Sequence, residues 1–150
     1  MEDLIQLSGQ ALAAREELRC CEDLNRLHGL QLTEEDIGEL VRLRGKALRD
    51  TGRIEFGGGI LPRLVRAFCS SAYVDRENYA AVLAELQDAF YYFKSESGDA
   101  FSDDDLVDFM AQVFNGPAAG SAELLTAMSL EQLCRWAREG FAGDLEEDCF

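Results

Sequence analysis

Residues 76–94, RENYAAVLAELQDAFYYFK, decide the fold class. Tyr79, Val82, Leu83, Leu86, Phe90 and Phe93 recur at spacings of three and four, which places them on one face of a helix and does not fit the alternation of a half-buried strand. Asp75 stands just ahead as a favourable N-cap. The pattern predicts a helix from about Arg76 to Lys94 at the centre of the core. Four consecutive aromatics cover the whole circumference of a helix, so Phe90 and Phe93 are assigned to the core. Tyr91 and Tyr92 are expected at its margin, with their hydroxyls in water.

The same helical punctuation recurs on both sides of this segment, and strand signals are almost absent. Ser8 is placed as the cap of a first helix ending near Leu27 before Gly29, with Leu7, Ala11, Ala14, Leu18, Cys21 and Leu24 along one stripe. Thr33 and Asp36 make a capping-box-like start for a second helix, which continues to about Asp50 before Gly52. Residues 52–59, GRIEFGGG, must break the helix, because each glycine in a helix interior costs about 1 kcal/mol. A third helix is predicted from Ile60, with Pro62 tolerated in the first turn. Ser102 caps a further helix whose first turn holds Asp103, Asp104 and Asp105, where the helix dipole favours negative charge. Ser121 caps a short turn, and Ser129 with Gln132 forms another capping box, for a last helix that Gly140 closes. The expectation is an all-α, compact single-domain bundle of about five or six helices spanning residues 1–150, with an acidic tail frayed over residues 144–150.

Composition agrees with one ordinary core: 150 residues, 47% hydrophobic, 29% charged and only two prolines. The amino terminus lacks the charged and apolar regions of a secretory signal, and no run of 18 apolar residues occurs, so a cytoplasmic protein without membrane association is expected. The five cysteines, an odd number without framework spacing, fit reduced thiols better than a disulfide scaffold.

The formal charge of −15 is unevenly spread. Residues 42–66 hold seven of the fourteen basic residues and only two acids, Asp50 and Glu55, whereas the flanking segments are strongly acidic. Such a surface disfavours broad nucleic-acid binding yet leaves room for a local anion site.

Several of these stretches bear a family resemblance. Gly52 to Leu61 (GRIEFGGGIL), Ala67 to Ser71, Tyr73, and Phe90 to Lys94 (FYYFK) resemble a bacterial family, mainly of Firmicutes, known as a domain of unknown function. The likeness extends over about residues 30–140 and implies a complete bacterial protein. It implies no activity, cofactor or catalytic residue.

The strongest candidate site is an anion site at Arg53, Gly57, Gly58, Gly59, Arg63 and Arg66. Glycines before a helix start leave backbone N–H groups unblocked at the positive end of the helix dipole, and the arginines are close in sequence. The alternative is a tight turn with arginines paired to surface carboxylates. Neither the phosphate-loop nor the dinucleotide fingerprint is matched. Arg44 falls on the apolar stripe of the second helix, between Val41 and Leu48. A guanidinium there needs a carboxylate or carbonyl partner, and Glu55 is the nearest carboxylate in this motif, so Arg44 and Glu55 are assigned as a structural ion pair. Cys20 and Cys21 point about 100° apart on a helix, a poor metal geometry, so no metal or cofactor is assigned.

Without a catalytic constellation, the sequence favours a non-enzymatic accessory protein that binds another protein, or itself, through helix faces. The alternative is a regulatory module holding a phosphate-containing small molecule or nucleotide at the glycine-rich segment. An acidic exterior would also steer a basic partner.

Overall fold

The computed structural model describes residues 12–55 and 59–137. Leu7, Ser8, Ala11, Phe56, Gly57, Gly58, Gly140 and the 144–150 tail lie outside the described residues. In chain order the elements are α1 (residues 12–20), α2 (Glu22–Leu27), α3 (Glu34–Thr51), α4 (Ile60–Phe68), α5 (Tyr79–Glu96), α6 (Asp103–Asn115), α7 (Ala122–Ala127) and α8 (residues 130–137). No strand occurs among the described residues, and none of their helices is long and apolar enough to cross a membrane. The expected all-α class holds, but there are seven helices among these residues, counting α1 and α2 as one helix broken at Cys21, rather than five or six. The break arises where the Cys21 N–H bonds back to the Leu18 carbonyl, tightening the turn. Towards the end of the chain, Ser129 restarts the backbone with its own cap and splits α7 from α8.

Helix starts follow the caps. Thr33 accepts from the Asp36 N–H while Asp36 accepts from the Thr33 N–H, both at 3.0 Å, completing the box ahead of α3. Ser102 accepts from the Asp105 N–H at 3.1 Å. Ser102→Ala should therefore lower stability by about 1 kcal/mol, read as a lower urea midpoint with unchanged slope, and an unmoved midpoint would deny the cap any weight. At α5 the start differs from expectation. Asp75 and Asn78 exchange side-chain-to-backbone bonds at 2.8 Å and close a turn, and the regular helix begins only at Tyr79, ending at Glu96.

The centre of the molecule is α5, which packs against α3, α4, α6 and α7. Being covered from so many directions, it buries a face wider than its sequence stripe. Gln87, Ala89 and Tyr91 are buried along with Tyr79, Leu83, Leu86, Phe90 and Phe93. Tyr91, expected at the wet margin, is therefore an interior residue, only 2% exposed, while Tyr92 does face solvent. Where α4 meets α6, Phe68 and Phe114 pack edge to face with ring centroids 5.3 Å apart. Beneath α2, the Tyr79 hydroxyl donates to Asn25 Oδ1 at 2.7 Å, and the Asn25 amide donates to Glu22 at 2.8 Å. That chain satisfies a polar side chain buried in the core.

Candidate functional site

The chain leaves α3 through Gly52, whose left-handed backbone (φ 67°) lets the Arg53 N–H reach the Leu48 carbonyl at 2.9 Å and end the helix. Residues 53–55 then diverge. Arg53 turns to Asp99, in the turn between α5 and α6, with Nη1 2.7 Å from Oδ1. Ile54 stands in solvent, 77% exposed. Glu55 folds back to α3, where Arg44 Nε donates to its Oε1 at 3.1 Å, so the two residues assigned as an ion pair are in contact.

A third residue completes this arrangement. The Tyr91 hydroxyl donates to the same Glu55 Oε1 at 2.7 Å. Burial pushes the Tyr91 phenol far above its ordinary range, and the adjacent Glu55 charge adds to the effect while Arg44 opposes it. Tyr91 therefore remains a protonated donor. Arg44 is 2% exposed, and its Nη2 is buried without a hydrogen-bond partner among the described residues. Sequence reasoning missed Tyr91, because its place depends on which sides of α5 are covered.

Gly59 closes the knot. It is the N-cap of α4 at φ 57° and ψ −126°, and a Cβ there would fall 2.1 Å from Glu55 Oε1 and 2.9 Å from Arg44 Nη2. No side chain caps α4. Glu55 thus presents its carboxylate at the positive end of that helix, the place where sequence reasoning put a bound anion.

Outside this knot lies an open cleft of about 660 Å³, lined by Glu17 and Cys20 from α1, Arg63 and Arg66 from α4, and Glu55 and Gly59. A shallower groove of about 350 Å³ runs between α4 and α6 past Ala67, Val107 and Asp108, and Arg63 and Arg66 line it too. These two arginines form a ridge between the grooves. Arg63 is paired with Asp104 in the first turn of α6, and neighbouring Asp103 is paired with Lys94 at 2.9 Å. Arg66 is exposed, and among the described residues no ion pair engages it. Of the six residues proposed for an anion site, the cleft brings together Gly59, Arg63 and Arg66. Arg53 is held by Asp99, and Gly57 and Gly58 lie outside the described residues.

The two neighbouring cysteines separate as their spacing requires: Cys21 is buried and Cys20 exposed. Burial raises the Cys21 thiol above its usual range, with the Arg66 charge opposing. Cys69 is likewise raised by burial. Neither has the depressed value of an activated nucleophile.

No curated protein and no solved structure matches this chain. A family model does match, over residues 17–143, which takes in every described residue of the knot and both grooves, and the chain accordingly belongs to that family of unknown function, DUF6323.

Proposed function

We propose that the chain is a non-enzymatic interaction protein that docks a partner protein across the outer surface of α4. The observation supporting this reading most strongly is the Arg63–Arg66 ridge, with a groove on each side and Ile54, 77% exposed, on the larger groove. An exposed apolar side chain beside guanidinium groups and concave surface is the combination that anchors protein contacts, with arginine enriched among the residues that dominate binding energy. The chain's net charge of −15 limits self-association and selects against acidic partners except where these arginines stand.

The test places a photo-crosslinking side chain at position 54 and, as a control, at exposed Glu85 on α5. A discrete protein adduct is expected from position 54 and not from position 85. With that protein purified, Ile54→Asp and Arg66→Glu should each weaken binding by about tenfold or more without lowering the melting temperature. Equal crosslinking from both positions, or none from position 54, would remove the α4 surface as the docking face.

A further inference from the structure

The contact between Arg44 and Glu55 is incomplete in a specific way. A guanidinium presents Nε and Nη2 as a fork that matches two oxygens of one carboxylate or phosphate. Glu55 uses a single oxygen, Oε1, to take both Arg44 Nε at 3.1 Å and the Tyr91 hydroxyl at 2.7 Å. Arg44 Nη2 donates to no acceptor among the described residues, although the side chain is only 3% exposed. A buried, charged donor without an acceptor is costly, so the cradle holds an anion that does not fill it.

We propose that Arg44 and Tyr91 form an oxyanion subsite in which Glu55 is an internal occupant, exchangeable for one carboxylate or phosphate group of a small ligand entering the cleft. An oxyanion lying flat against the guanidinium would satisfy Nε and Nη2 together and still accept from Tyr91. It would abut Gly59, the N-cap of the nine-residue helix α4, at the positive helix end where Glu55 now sits, 2.9 Å being the reach from a Cβ position there to Arg44 Nη2. Glu55 lines the cleft, so once another oxyanion takes its two hydrogen bonds its side chain has open space towards Arg63 and Arg66 to turn into. The cleft, about 660 Å³, is of the size that small-ligand sites occupy. The depth of Arg44 selects a single oxyanion group on a small molecule over a macromolecular surface. The inference shares this cleft with the docking reading above but rests on a different observation, the buried donor of Arg44, and does not need Ile54 or a bound protein.

An internal competitor lowers apparent affinity by the fraction of time it holds the site, which gives the inference a signature. The full chain is titrated with sodium formate and, separately, inorganic phosphate against chloride at constant ionic strength. The melting temperature and the NMR resonance of the Arg44 Nε–H are followed. Wild type is expected to show a saturable shift in both readouts with at least one of the two anions, and the anion that acts identifies the ligand group as carboxylate or phosphate. Glu55→Ala, or Glu55→Gln if the alanine variant does not fold, should saturate at an anion concentration lower by about tenfold or more. Arg44→Met should abolish the response. If wild type shows no saturable response while Glu55→Ala does, Glu55 is a fixed structural anion and the proposal fails. It fails equally if chloride acts as well as formate and phosphate, or if Arg44→Met still responds.

Discussion

Gly59→Ala is expected to destabilise the protein by about 3 kcal/mol, lowering the melting temperature of a chain this long by about 6–12 °C. Two causes act together. The backbone at φ 57° and ψ −126° is one that L-residues rarely adopt, and the new methyl would lie 2.1 Å from Glu55 Oε1, an atom held by Arg44 and Tyr91. Gly52→Ala is the matched control. Its φ is 67° with ψ 27°, the left-handed helical region, and nothing lies within 4 Å of a Cβ there, so its cost should be about 1 kcal/mol. Thermal melts of the two variants side by side read what the Glu55 collision and the rarer backbone of Gly59 together cost beyond an ordinary left-handed position. Equal losses would mean that Glu55 is not packed against Gly59.

Arg44→Ala should cost about 3 kcal/mol, at the low end of the range for breaking a buried ion pair. The reason for the low end is Glu55, whose side chain is 14% exposed on the cleft and can turn to solvent once its cation is gone. Part of the loss is packing, since the arginine stem fills space between Val41 and Leu48 on the buried face of α3. Arg44→Met, which retains that volume, should lose clearly less. Chemical denaturation of the two variants checks the order, and a methionine variant as unstable as the alanine one would shift the weight from packing to charge.

What the sequence made legible follows from how local each signal is. Thr33 with Asp36, Ser102, and Ser129 with Gln132 act within four residues of chain, and each forms the predicted bonds. Arg44 could be singled out because a guanidinium on an apolar stripe is anomalous by itself, and the glycine-rich break put Glu55 within reach. Tyr91 could not, because Phe90, Tyr91, Tyr92 and Phe93 differ only in which neighbouring helix covers them, and α3, α4, α6 and α7 all pack on α5. The burial of Asn25 and Gln87 was hidden for the same reason. The arginines near the glycine run were recognised as a cluster, but their actual partners are distant in sequence: Asp99 for Arg53 and Asp104 for Arg63. Charge counts along a chain show that cations are gathered, and only tertiary contacts show which of them remain available. Among the described residues Arg66 and Arg49 engage in no ion pair, and Arg44 keeps an unfilled donor.

The account turns on Glu55 being an anion gripped from inside by Arg44. A double-mutant cycle of Arg44→Met and Glu55→Gln, read by urea denaturation, measures that grip directly. A coupling of about 1.5–3 kcal/mol is predicted for a charged hydrogen bond sheltered to this degree. Additivity within about 0.3–0.5 kcal/mol, the behaviour of independent sites, would contradict it.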